Sequence, residues 1–160
     1  GLVLFGTISQ AIGRKGAFIF YHIGAFVMAW FMFGYVMDGA ITHDLVNWLY
    51  PMQGNLEVSQ GLLLVLLPIF GFFTLGMHAG YAVYFPELYP TRLRGSGAGL
   101  CFNGGRIAAG LSLLLISLLQ GLETDPWNKG ECAMLLNYLY PIGAIVVLFA
   151  AETRGKELID

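Results

Sequence analysis

Arg106 occupies a position that demands explanation. Counted from Ser96 at helical rise, it lies about 15 Å into an apolar run, near the middle of a hydrocarbon core of roughly 30 Å. An arginine at that depth costs about 3 kcal/mol on insertion scales. Either its long side chain reaches back to the interface, or it faces a wet cavity or pairs with an acid on another helix. Asn103 lies one turn earlier on the same face. It can make an interhelical hydrogen bond worth about 0.6 kcal/mol or, with Arg106, form a polar stripe along a pathway. His78 and His22 are the other titratable candidates within apolar runs, apart from tyrosine and cysteine. An embedded histidine can relay protons, and it can equally be a polar group bonded to a neighbouring helix. His78 is the stronger candidate, roughly 10 Å from the end of its run. None of the runs contains Asp or Glu, so none offers a carboxylate to bind a coupling proton or cation. Cys101 within a run behaves as a small apolar residue, and Cys132 lies at a loop end. No metal or cofactor framework is expected from these spacings.

The elements that must position these residues are four apolar runs, 16–37, 61–85, 96–119 and 134–151, each long enough to cross a bilayer as a helix. Between them, basic residues alternate in side: Arg14 and Lys15, then none, then Arg92 and Arg94, then Lys129, then Arg154 and Lys156. Lys and Arg remain cytoplasmic in short loops. The first full run therefore enters from the cytoplasm and the chain returns there, in an integral, multi-pass arrangement expected in a bacterial inner (plasma) membrane. The composition agrees, with 57% hydrophobic and 11% charged residues against roughly 25% charged in soluble domains. A net charge of −2 leaves no basic footprint for nucleic acid.

Domain organisation follows from these runs. Residues 1–15 read as the end of a preceding transmembrane helix and a cytoplasmic loop, 16–151 as a four-helix transmembrane region, and 152–160 as a cytoplasmic tail. The signal-peptide pattern is missing, and the chain reads as the C-terminal piece of a longer protein. Trp48, Tyr50, Pro51, Pro126 and Trp127 suit a membrane interface in two outer loops. Pro86 and Pro90 are expected to stop the second helix, since each lacks an amide donor. Gly97, Cys101, Gly105 and Ala109 recur at every fourth position and predict a close helix–helix approach. Gly99, Asn103, Arg106 and Gly110 share a second face.

Three segments carry a family resemblance. Gly6-Thr7-Ile8-Ser9-Gln10-Ala11-Ile12-Gly13-Arg14-Lys15 resembles the G-x-L-x-D-R-x-G-R-R loop of the major facilitator superfamily, with Gln10 in place of its aspartate and Ala11 in place of a basic residue. Pro86-Glu87-Leu88-Tyr89-Pro90-Thr91-Arg92-Leu93-Arg94-Gly95 resembles the elbow before the eleventh helix of its sugar, aromatic-acid and sialate-type porters. Glu152-Thr153-Arg154-Gly155-Lys156 resembles the tail after the twelfth, with Ala151 in place of a proline. The resemblance covers the whole chain and implies an all-α, polytopic helical bundle, a partial C-terminal half of the major facilitator fold comprising the last four of twelve helices. It implies secondary active transport of a small metabolite, an organic acid or sugar-like molecule, ion-coupled and by alternating access. Partners would be that substrate, a coupling proton, the lipid bilayer and the N-terminal helices of the same protein. It further implies a cytoplasmic gate of ion pairs at Arg14, Glu87, Arg94, Glu152 and Arg154. Exposed pairs are worth about 0–1 kcal/mol each, yet a network of them can bias two states. The alternative function is a membrane-embedded structural or receptor-like protein without a transport cycle. A membrane enzyme is disfavoured, because clustered acids, histidine pairs or clustered cysteines at membrane depth do not occur.

Overall fold

The computed structural model describes residues 1–36, 55–121, 127 and 129–155. The predicted outer-loop residues Trp48, Tyr50, Pro51 and Pro126, and the tail residue Lys156, lie outside them. Helix α1 (Leu2–Phe31) runs into a π-helical turn (Met32–Val36). It is followed by α2 (Asn55–Glu87), α3 (Arg94–Gln120), α4 (Lys129–Asn137) and α5 (Leu139–Phe149). No strand occurs among the described residues. Four stretches are long and apolar enough to cross a membrane: Leu2–Gly34, Val65–Glu87, Arg94–Gln120 and Gly130–Phe149.

The first stretch is two arms. Gly13, at φ 86° and ψ 165°, adopts a backbone that L side chains rarely enter, and the chain reverses there. Residues 2–12 lie antiparallel to residues 14–31, with Phe5 against Phe18 at 5.2 Å and the Tyr21 hydroxyl near the Gly1 carbonyl at 3.4 Å. The expected loop over 6–15 is thus narrower than the sequence suggests. Residues 6–12 are helical, and the reversal is concentrated at one glycine. From Arg14 to Gly34 the second arm spans about 30 Å at 1.5 Å per residue.

Proline acts differently at each site. Pro86 does not stop α2, which continues to Glu87; Pro68 is also accommodated within it. Pro90 lies beyond the helix, in the turn that leads to α3. Pro141 explains a division the sequence did not suggest. Its ring would clash with the carbonyl of Asn137 four residues earlier, and the fourth run breaks into α4 and α5 at Tyr138.

The core is an aromatic layer between both arms of α1 and α2. Phe5, Phe18, Tyr21, Met77 and Tyr84 are buried there, with Ala17 and Ala25. Rings enter notches left by glycines. A Cβ on Gly76 would lie 2.1 Å from the Tyr21 ring, one on Gly80 2.5 Å from Phe5, and one on Gly24 2.1 Å from Phe73. In lipid, apolar burial supplies little drive, so this close contact itself holds helices together. Helix α3 is the opposite case. Gly97 is its one buried residue, and Leu100, Leu113 and Leu118 are exposed.

Candidate functional site

At the Gly13 end of the bundle, four helix termini and the C-terminal tail converge. Each helix end leaves unpaired amides or carbonyls, and charged side chains from neighbouring segments satisfy them. The Glu152 carboxylate accepts from the backbone amides of Arg14 at 3.0 Å and Lys15 at 3.1 Å, capping the N-terminus of arm 14–31. The Arg154 amide donates to the same carboxylate at 3.0 Å. Cations serve the C-termini, where the helix dipole favours them. The Arg154 guanidinium donates to the Ala11 carbonyl of arm 2–12 at 3.0 Å. The Lys15 ammonium donates to Leu148 of α5 at 2.8 Å, and Arg94 Nε to Pro86 of α2 at 3.0 Å. The Tyr84 hydroxyl fastens the tail to α2 through the Ala151 carbonyl at 2.6 Å.

Arg14 joins these termini laterally. Its Nη2 and Nε donate to the two oxygens of Glu87 at 2.7 and 3.2 Å, a two-point carboxylate contact. Its Nη1 donates to Ser9 Oγ at 2.6 Å. The Thr153 hydroxyl also donates to Glu87. The pair is mostly shielded, with side-chain exposures of 16% and 18%. Burial raises the carboxyl pKa of Glu152, but the amide donors outweigh it and hold the group below its ordinary value of 4.5. Gly13 is required here twice: for its positive φ, and because a Cβ would lie 2.9 Å from Glu152 Oε2.

The five gate residues expected from sequence therefore meet, but not as a network of ion pairs. Arg14 and Glu87 form the ion pair, while Glu152, Arg154 and Arg94 close helix ends. Arg94 does not reach Glu87. Its second contact is the Thr91 hydroxyl at 3.5 Å. Ser9, Thr153 and Tyr84 were missed, since single hydroxyls near a motif carry no spacing signal.

Beside this cluster a cleft of about 610 Å³ opens between α2, α3 and α5. Phe85, two residues before Glu87, and Ala150, two before Glu152, line it next to the fastened end. Tyr81 stacks on Phe85 at 5.2 Å, Phe85 meets Phe102 edge-on at 5.4 Å, and His78 meets Phe102 edge-on at 5.8 Å. Among the described residues, Arg106, His78 and His22 are the basic side chains of its wall, and no carboxylate lines it. Among the described residues, no side chain pairs with Arg106.

One residue is placed apart from the cleft, and one packing expectation is corrected. Asn103 is exposed on α3 but is not part of the cleft wall; on a helix, a three-residue offset from Arg106 suffices to carry it around the rim. The small-residue face of α3 does not receive another described helix. Tyr89 of the elbow covers Gly97, its hydroxyl 3.3 Å from Cys101 Sγ, while Gly105 and Ala109 line the cleft. The glycines that admit close contact are Gly76 and Gly80, whose four-residue spacing was the available signal.

The family profile described as Sugar (and other) transporter matches residues 1–160. A Haemophilus influenzae protein named for metabolite transport is 25% identical over 159 residues, covering 99% of this chain and 33% of that protein. Human solute carrier family 22 member 10 is 35% identical over 80 residues, covering 49% of this chain and 14% of that protein. The chain thus spans about a third or less of the length of these relatives. No solved structure matches it significantly.

Proposed function

Because the chain belongs to the sugar (and other) transporter family of the major facilitator superfamily, we propose that it supplies the inner gate and one wall of the substrate pathway in a longer, ion-coupled transporter. The observation that carries this reading is the contrast at one end of the bundle. Arg14, Glu87 and Glu152 fasten α1, α2 and the tail, while the adjoining cleft presents Arg106, which has no partner among the described residues. The fastened end is the cytoplasmic one, on the distribution of basic residues. Alternating access then consists of making and breaking these contacts, which weigh one state against the other. The substrate is a small metabolite, an organic acid or sugar-like molecule. Arg106 and His78 belong to its pathway. Asn103, exposed one turn from Arg106 on α3, belongs to the same pathway beyond this cleft, in the full-length protein. A carboxylate that binds a coupling ion lies elsewhere in the full-length protein, because none lines the cleft among the described residues.

The test is made on the full-length protein in vesicles. Glu87→Gln removes the charge that holds Arg14 and should increase thiol labelling, from the cytoplasmic side, of a cysteine placed at Ala150. Unchanged labelling would reduce the cluster to a static anchor.

A further inference from the structure

We propose that His22 is a fixed hydrogen-bond acceptor in the cleft wall, selecting anions that also carry an O–H or N–H donor. The proposal rests on the pathway reading above and deepens it. His22 Nδ1 lies 2.8 Å from the Phe18 carbonyl oxygen. A carbonyl only accepts, so Nδ1 carries the hydrogen and Nε2 of the neutral ring holds a lone pair.

The fold aims that lone pair. The ring is 4% exposed and packs beside Phe18, with 6.4 Å between centroids. Nε2 points to α5 at Gly143, where a Cβ would lie 2.5 Å from it, and both residues line the cleft. The missing side chain of Gly143 is what lets the ring reach this wall. Among the described residues the buried side-chain polar atom without a partner is Asn137 Oδ1, not His22 Nε2. No described group donates to Nε2, and His22 and Gly143 both belong to the cleft wall.

The other polar groups of the wall define the ligand. Arg106 offers only donors, and its planar fork suits a carboxylate. His78, Tyr81 and Cys101 complete the polar lining, and no acid is present. A ligand must therefore place an anionic group at Arg106 and a donor at His22. An analogue without the donor leaves Nε2 desolvated and unpaired, which disfavours it.

The aromatic walls make benzoate and its 3- and 4-hydroxy derivatives suitable probes, with binding measured calorimetrically on the full-length protein in nanodiscs. The better hydroxylated probe should bind about tenfold tighter than benzoate. His22→Asn retains an N–H for the Phe18 carbonyl but has no atom at the Nε2 position. It should abolish the preference by weakening only the hydroxylated probe. His22→Gln can present an amide oxygen near Nε2 and should restore much of the preference. Equal binding of the probes by wild type, including none at all, overturns the proposal, as does a preference that survives His22→Asn. Arg106→Ala separates the two readings. If it loses both probes while the preference survives His22→Asn, the pathway stands and the His22 assignment fails. If both probes bind Arg106→Ala as they bind wild type, the pathway reading itself fails.

Discussion

Arg14 and Arg106 have the same side chain and opposite circumstances. Arg14 sits at a chain reversal, where all three of its contacting nitrogens find oxygens within 3.2 Å. Arg106 sits on an exposed helix, beside a cleft without acids and with no described partner. The first region is satisfied by the protein itself. The second finds no partner among the described residues and, on the reading proposed above, is satisfied by a substrate anion or by an acid elsewhere in the full-length protein. A charge whose partners are all internal contributes to conformation, whereas one left open contributes to recognition.

The largest expected effect strikes the fastened end through its backbone. Gly13→Ala imposes a side chain at φ 86°, costing about 1–3 kcal/mol, and pushes Glu152 from its cap, worth about 1 kcal/mol more. Thermal unfolding of the full-length protein should fall by several degrees, and trypsin should cut at Arg154 more readily. An unaltered melting profile would mean that the reversal tolerates a Cβ. Next comes Arg14→Ala, which strips Glu87 of its two-point partner and should destabilise by about 1.5–3 kcal/mol. Arg106→Ala should change stability by no more than about 0.5 kcal/mol, while uptake of an anionic substrate falls at least about tenfold. Similar melting shifts for the two arginine variants would erase the distinction drawn here.

The smallest effect is one of pH. The Glu152 carboxyl is held below its ordinary value in the folded chain, so its contribution is fully present above pH 4.5 and is lost as pH falls through the lowered value. Wild-type stability should therefore decline more steeply on acidification below pH 4.5 than that of Glu152→Gln. Parallel curves would show that the cap contributes nothing to the linkage.

The fastened end was largely legible in the sequence and the packing was not, for physical reasons. Arg14, Glu87 and Glu152 lie where short polar turns interrupt apolar runs, so their neighbourhood follows from the number of crossings. Which helix faces meet requires a rotational phase. A segment such as Val65–Glu87, apolar on every side, provides none. Gly76 and Gly80 were consequently passed over in favour of the more conspicuous glycines of α3. The same lack of phase hid His22 in the cleft wall. Pro86 shows a different limit. A missing amide donor weakens a helix but does not dictate where it ends, and α2 continues one residue further to present Glu87 to Arg14.

The Glu152 cap has a mechanical corollary. One carboxylate receives amides from the start of arm 14–31 and from the tail itself, and Thr153 and Tyr84 bind the same tail to α2. Lifting the tail breaks its bonds to arm 14–31 and to α2, while the Arg154 amide, itself part of the tail, stays with the Glu152 carboxylate. Three successive residues of the tail thus tie it to two different helices, so a displacement that frees it from one also pulls on its bonds to the other.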